Sequence, residues 1–255
     1  MWKKIKKYQF LFEELVKRDF MQKYKRTALG MAWSIMSPLL QLAVLWVVFS
    51  NFFGTGMEHY ITYLFAGNLL FNYYREATTG GMNALLGNAH IFTKVNVPKY
   101  MFLLSKNVSA IINFALSLII FFVFAFFDGV VFQWKFILLV YPIACLTLLN
   151  VGVGLILSAM FVFFRDIGYL YDVFTMLLMY MSAIFYDVES FPEEFQRLFL
   201  LNPVYCCIKY VRVIVVEGNI PSLQFHFLCL FYALLFLIIG GIIYKKKNHQ
   251  FLYYV

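Results

Sequence analysis

The sequence predicts an all-α integral membrane protein with six transmembrane helices, an N-terminal amphipathic interface helix and short re-entrant helices before the last span. Three observations lead to this fold class. Of the 255 residues, 63% are hydrophobic and 13% charged, against about 45–50% and about 25% in soluble domains. Charge-free runs long enough to cross a bilayer recur along the chain. Most lysines and arginines stand at the ends of those runs, so residues 1–255 are interpreted as one membrane domain.

Residues 1–27 are predicted to form the interface helix. Apolar side chains recur three or four positions apart, mostly with charged residues between them, at Ile5, Tyr8, Phe12, Leu15 or Val16, and Phe20. This pattern gives one apolar stripe on a basic helix that is too polar to span the membrane, so we expect it to lie among the headgroups. A simple positively charged topology anchor is the alternative.

Spans one to five are expected within residues 28–186. Their predicted ranges are 31–53, 60–86, 107–127, 136–163 and 168–186, with Gly54 and Gly56 ending the first.

Two charges, Arg75 and Glu76, fall inside the second predicted span. An arginine at bilayer depth costs about 3 kcal/mol on insertion scales, so we expect Arg75 to face water or protein rather than lipid. Glu76 is a poor partner for it, because adjacent residues do not face each other on a helix. A charge lining an aqueous path and a structural pair with another span both remain open.

The segment 87–106 is punctuated by Gly87 and Pro98 and carries three lysines. It predicts a short helix and a turn on the same side of the membrane as the N-terminus; an ordinary connector is the alternative.

Residues 187–222 are apolar but interrupted by Pro203, Lys209 and Arg212, and the segment is too short for two spans. We therefore expect an extracytoplasmic pair of short helices that re-enter the membrane and are covered by protein. The sixth span, 223–244, ends at three consecutive lysines. Six spans place both termini on one face, and the positive-inside rule assigns that face to the cytoplasm.

The sequence offers little catalytic or metal-binding chemistry. The four cysteines and four histidines show no metal-ligand spacing, no phosphate-binding GxxxxGK[ST] loop is present, and no nucleophile-base arrangement is evident. The formal charge of +8 is concentrated at span ends, where it meets anionic lipid, so nucleic acid is not expected as a partner. Arg75, Glu76 and Asp172 are too few for an ion relay, which favours energy supplied by a separate ATPase.

Five groups of residues carry a family resemblance: Arg18-Asp19 and Tyr24 followed by Leu29-Gly30, Trp33 and Pro38; Lys94 to Lys99 with Pro98; Arg165-Asp166; Ser182 to Tyr186; and Asn202-Pro203 with Arg212. In this order and spacing, the chain resembles the membrane subunit of type-2 ABC exporters, the permease family that moves lipid-linked polysaccharides such as O-antigen, capsule or teichoic acid. Ala183 stands where the family often has proline.

The resemblance implies a multi-pass subunit of the plasma (inner) membrane that is not itself an enzyme. Two copies of this chain would pair with two copies of an ATP-binding subunit, which holds the ATP and magnesium; no cofactor is expected in this chain. The N-terminal helix and the connector 87–99 would dock that subunit. The residues expected near the contact are His90, Phe92, Lys94 and Pro98.

A sugar polymer presents hydroxyl groups and apolar C–H faces, so its path favours aromatic surfaces with few charges. The candidate channel residues are Trp46, Phe49, Tyr73, Tyr74, Arg75, Tyr180, Phe185 and Tyr186. Aromatic residues also enrich at bilayer interfaces without a transport role. The anionic headgroup of a lipid carrier needs cations at the cytoplasmic entrance, where Lys23, Lys25 and Arg26 are candidates; a topology anchor is again the alternative.

Two other functions stay open at this stage. A type-2 permease that exports a lipid, a drug or another small molecule would share the fold. A membrane-embedded lipid or glycan transferase is less favoured, because the sequence has no HxxxxD or DxD arrangement.

Overall fold

The structure, a computed structural model, describes residues 2–52, 58–95 and 97–254. The secondary structure of these ranges is helical, without a strand. The helices are α1 Trp2–Tyr24, α2 Trp33–Phe52, α3 Tyr60–Gly87, α4 Ala89–Phe92, α5 Tyr100–Phe127, α6 Val140–Phe163, α7 Ile167–Met181, α8 Glu193–Phe199, α9 Pro203–Val215 and α10 Leu223–Lys247. Short 3-10 turns precede α2, α6 and α8 and follow α10. The prediction of an all-α membrane protein is confirmed.

Four helical segments of the described chain are long and apolar enough to cross a bilayer, and they lie at α2, α5, α6 and α10. Of these, α5 has 28 residues and α10 has 25. α8 and α9 meet the same criterion only as a pair and are bent by 108° to each other. α3 has 28 residues, about 42 Å at 1.5 Å per residue, but carries Arg75 and Glu76. α7 has only 15 residues. The count of six spans therefore stays a prediction.

Helix ends differ from the predicted ones where tertiary contacts intervene. α5 begins at Tyr100, not at 107, because its charged first turns pack against α1 and Lys106 pairs there with Asp19. α7 ends at Met181, not at 186, and Ala183 has a φ of 49°. The chain thus breaks here without a proline. The residues Gly54 and Gly56, predicted to end the first span, lie outside the described residues.

α3 lies at the centre of the main core. It packs against α5, α6 and α9, and Leu64, Phe65 and Leu70 are fully buried in it. α6 and α10 form another extensive contact, in which Gly152 and Gly240 bring the two backbones close together. One side of α3 is therefore fixed by the core, and its other side stays open.

A second apolar cluster joins the chain ends at one end of the molecule. It includes Leu15 of α1, Phe92 of α4, Phe102 of α5, Val162 of α6 and Phe251 after α10. We call this the basal end, and the opposite end, where α3 begins and α9 lies, the apical end. The interface helix, the connector helix α4 and the residues after α10 therefore share one end.

Candidate functional site

The open side of α3 is polar. Its residues recur three or four positions apart, which places them on one face of the helix, and none of them is buried. This α3 polar face consists of Asn72, Arg75, Glu76, Thr79 and Asn83. The eleven helical steps from Asn72 to Asn83 correspond to about 16 Å along the axis. A polar band of this length on a membrane helix needs water or protein opposite it.

Arg75 is the unpaired charge of this face. It is exposed, and among the described residues no carboxylate lies within ion-pair distance of it. Asp172 of α7 is likewise exposed without an ion pair in this part of the chain. Tyr171, which precedes Asp172 on α7, donates from its hydroxyl to Oγ1 of Thr78 on α3 at 2.6 Å. Two opposite charges are thus left open along α3 and α7.

Glu76, in contrast, is paired. Lys23 Nζ lies 2.9 Å from both of its carboxylate oxygens, and Asn113 Nδ2 donates to Oε1 at 2.6 Å. The Tyr24 hydroxyl donates to Oδ1 of Asn113 at 2.9 Å, and burial raises the pKa of Tyr24 to about 12. The end of α1 is therefore tied to the middle of α3 and to α5.

This network borders a cavity of about 340 Å³ where the end of α1 meets α2, α3 and α5. Besides the ion pair, it is lined by amides, hydroxyls and rings, among them Ser34, Ser37, Gln41, Asn72, Asn113, Ser117, Trp33, Tyr73 and Phe114. We call it the neutral cavity. Gln41 Oε1 accepts from Nδ2 of Asn72 at 3.0 Å and of Asn68 at 3.3 Å, which ties α2 to α3.

A larger cavity of about 840 Å³ lies nearer the basal end, between α1, the turn before α2 and the end of α3. Arg18, Lys25, His90 and Lys106 line it. The carboxylate of Asp19 pairs with Arg18 and Lys106, so the surroundings keep a net positive charge. We call it the basic cavity. Tyr24 lines both cavities.

The connector helix α4 is held from two sides. Arg18 Nη2 donates to Oδ1 of Asn88 at 2.7 Å, and Asn88 Nδ2 donates to the carbonyl of Ala84 at 2.8 Å. Lys99 Nζ donates to the carbonyl of Asn248 at 2.7 Å, and burial lowers the pKa of Lys99. The start of α4 is therefore fastened to α1, and the connector that follows α4 is fastened to the residues after α10.

Arg212 organises the apical end. It is 3% exposed, and its guanidinium donates to the carbonyls of Tyr63 at 3.2 Å, Ala183 at 2.8 Å and Ile184 at 3.0 Å. It also lies 3.4 Å from the centroid of the Tyr63 ring. Because the carbonyls freed by the end of α7 point to this one side chain, Arg212 explains the break at Ala183.

The predicted channel residues separate into two groups. Phe49 stacks on Phe185 with ring centroids 5.7 Å apart, and the Tyr186 hydroxyl donates to the carbonyl of Tyr180 at 2.6 Å. These four therefore lie in pairs toward the apical end, and Trp46 is exposed on α2.

Tyr73 and Tyr74 lie elsewhere, each 3% exposed in the core. The Tyr73 ring stacks on Phe114 with centroids 4.6 Å apart and forms a wall of the neutral cavity. Both tyrosines are thus packed within the core, and their assignment to the channel stays a prediction.

The residues predicted to bind the carrier headgroup and those predicted to contact the ATP-binding subunit also lie in different surroundings. Lys23 is occupied by Glu76, Lys25 lines the basic cavity, and Arg26 is exposed beside it without lining it. In the connector, His90 and Lys94 are exposed and Pro98 is half-buried. Phe92 is buried against Phe102, so it anchors α4 instead of offering a contact surface.

Sequence reasoning missed Asp19, Lys106, Gln41, Asn72 and Asn113 as members of the site. A readable signal existed for α3, because its polar residues recur at helical spacing within a membrane-length segment. In the described residues, no group of three or more histidine, cysteine, aspartate or glutamate side chains is arranged to hold a metal ion.

An unpaired charge on an open helix face of an all-α membrane protein is typical of a transport subunit. The sequence family described as "ABC-2 type transporter" matches residues 11–216. Because this match covers most of its length, the chain belongs to that family.

The curated relatives are named as export or transport proteins. The chain is 24% identical over 248 residues to the O-antigen export system permease protein RfbA of Klebsiella pneumoniae, covering 95% of both chains. The RfbA protein of Myxococcus xanthus is 25% identical, with 85% of this chain and 84% of the relative covered. The polysialic acid transport protein KpsM of Escherichia coli is 21% identical over 94% of both chains.

Proposed function

We propose that this chain is the membrane permease of an ATP-driven exporter that moves a lipid-linked glycan out of the cytoplasm. Two copies form the passage, and two copies of a separate ATP-binding subunit hydrolyse ATP. The observation that carries the proposal is the α3 polar face with its unpaired Arg75, since a lipid-facing arginine would cost about 3 kcal/mol. The names of the relatives support a polysaccharide as the substrate.

The proposed topology has six spans, with α3 and α7 as the second and fifth. The bend of 108° between α8 and α9 supports a re-entrant pair on the outer side. The shared basal cluster of α1, α4 and Phe251 supports both termini on one side, and Lys245, Lys246 and Lys247 favour the cytoplasm for it.

The entrance for the anionic carrier headgroup is proposed at the basic cavity. The cations Arg18, Lys25 and Lys106 line it, whereas Lys23 is paired with Glu76. Guanidinium and ammonium groups donate charge-assisted hydrogen bonds to phosphate oxygens. The cavity thus revises the entrance from Lys23, Lys25 and Arg26 to a site that keeps Lys25.

The ATP-binding subunit is proposed to dock on the exposed side of α4, at His90 and Lys94. Because α4 is fastened to α1 and α3 through Arg18 and Asn88, movement of the docked subunit would move these helices as a rigid unit.

The path is tested by the water accessibility of α3. Cells lacking the chromosomal permease would carry Arg75→Cys, Thr79→Cys or Ala77→Cys together with the ATP-binding subunit. A membrane-impermeant thiol reagent should label the first two and spare Ala77→Cys, because Ala77 is fully buried on the opposite face. The four native cysteines are buried and should stay unlabelled.

Glycan at the cell surface is measured in the same cells. Its loss without the permease, and its recovery with the wild-type chain, are the expected results. Labelling of neither open-face cysteine would contradict an aqueous path along α3.

A further inference from the structure

The neutral cavity differs from the basic cavity in its charge. Within it, the ammonium of Lys23 lies 2.9 Å from both carboxylate oxygens of Glu76, so these two charges cancel. No other charged side chain lines the cavity among the described residues. An anion or a cation would have to break this pair to bind, whereas an uncharged ligand would not.

The cavity walls offer hydrogen-bonding groups of both kinds. Three amides, those of Gln41, Asn72 and Asn113, share the lining with three serine hydroxyls, those of Ser34, Ser37 and Ser117. Asn72 donates to Gln41, and its Oδ1 accepts no hydrogen bond from the described residues. A ligand hydroxyl can donate to this oxygen and accept from a serine hydroxyl.

Aromatic rings supply the remaining surface. Tyr73 and Phe114 are stacked at 4.6 Å, and Trp33 lies on the α2 side of the lining. Sugars combine edge hydroxyls with an apolar C–H face, so rings beside amides suit them better than they suit an acyl chain. The volume of about 340 Å³ lies at the lower end of the roughly 300–1,000 Å³ typical of small-molecule sites.

We propose that the neutral cavity is a binding subsite for one uncharged sugar unit of the exported glycan, an inference that rests on the proposed function. Its position supports this assignment, because Tyr24 lines both cavities. A carrier headgroup bound in the basic cavity therefore places the first sugar attached to it beside the neutral cavity. Together, the two cavities bind the charged headgroup of the carrier and the uncharged sugar unit attached to it.

The test measures sugar binding to the full chain with its ATP-binding subunit in lipid nanodiscs. Ligand-observed saturation-transfer NMR would use the methyl α-glycosides of glucose, galactose and mannose, with methyl glucuronide and inorganic pyrophosphate as charged comparisons. At least one neutral glycoside should bind saturably, and Asn72→Leu should weaken this binding by at least tenfold.

Asn68→Leu is the matched control. Asn68 also donates to Oε1 of Gln41 from one helical turn away, but it does not line the cavity, so its variant should bind the sugar as the wild type does. The thermal unfolding midpoints of both variants verify that they fold. Equal losses in the two variants overturn the proposal, as does the absence of neutral-sugar binding or competition for it by glucuronide or pyrophosphate.

Surface glycan in permease-deficient cells separates the two failures. If export requires the chain and no neutral glycoside binds, the subsite is refuted and the proposed function stands. If surface glycan is independent of the chain, the proposed function itself fails.

Discussion

Asp19 and Lys106 form an ion pair of 2.9 Å that joins the interface helix α1 to the basal end of α5. The Asp19 side chain is 1% exposed, and it also accepts a hydrogen bond from Ser105 Oγ at 2.8 Å and from Arg18. Since Arg18 reaches on to Asn88 at 2.7 Å, one carboxylate connects α1, α5 and the start of α4. A buried acid is expensive unless it is paired in this way.

We therefore expect Asp19→Asn to loosen α1 from the rest of the molecule. The loss should lie between the ~1 kcal/mol of an exposed ion pair and the ~3–5 kcal/mol of a fully buried one, because Lys106 is partly exposed. Thermal unfolding in detergent measures it, and surface glycan should fall along with stability. Glu14→Gln, at an exposed position of the same helix, is the control and should change neither quantity.

In the connector helix α4, we expect one residue to anchor the helix in the core and two others to contact the ATP-binding subunit. Phe92→Ala should destabilise the protein by about 3 kcal/mol, the lower end of the range for buried phenylalanines, because Phe92 packs in the basal cluster. His90→Ala with Lys94→Ala should leave the unfolding midpoint unchanged, since both side chains are exposed.

The double variant should nevertheless retain less ATP-binding subunit in a co-purification. Equal retention of that subunit by the wild type and the double variant would refute docking at this face of α4.

Arg212 should be the most sensitive position of the apical end. Arg212→Met leaves the carbonyls of Tyr63, Ala183 and Ile184 without their donor, at about 1–3 kcal/mol for each buried group. Arg212→Lys should restore only part of the loss, because an ammonium lacks the planar fork of a guanidinium. Hydrogen exchange of residues 182–186 and the unfolding midpoint report the effect.

Lys209→Met is the comparison for Arg212, being half-buried on the same helix without a described hydrogen bond. A similar loss of protection in both variants would mean that the three carbonyl contacts do not hold this end together.

Hydropathy was sufficient to predict the existence of the apolar helices, because a bilayer demands long apolar segments with internally bonded backbones. Helix ends were less predictable, since they depend on partners distant in sequence. α5 starts early because Lys106 finds Asp19, and α7 stops early because Arg212 binds the carbonyls of Ala183 and Ile184. A proline would have signalled this break in the sequence, but Ala183 did not.

The site was predicted in part for the same reason. Arg75 was recognisable because a charge inside a predicted span is costly unless it faces water or protein. Which of its neighbours on α3 face the core could not be predicted from the sequence, and Tyr73 and Tyr74, both candidate channel residues, are buried. The pairing of Lys23 with Glu76 joins residues far apart in the chain, so no local sequence pattern predicts it.

The contact between α6 and α10 depends on two glycines. A methyl group added at Gly240 would overlap the carbonyl oxygen of Gly152, whereas one added at Gly241 would meet nothing within 4 Å. Small residues of this kind let membrane helices approach closely and gain their packing energy. The two neighbouring positions on α10 thus offer a matched pair of substitutions.

Gly240→Ala should force the helices apart and destabilise the protein by about 1–3 kcal/mol, as overpacked sites usually do. Gly241→Ala should leave stability unchanged or slightly raised, because alanine loses less backbone entropy than glycine in a helix. Unfolding midpoints of the two variants in the same detergent make the comparison. If both shift by the same amount, the cost comes from the change of residue type and the close contact with Gly152 does not set the packing of α10 on α6.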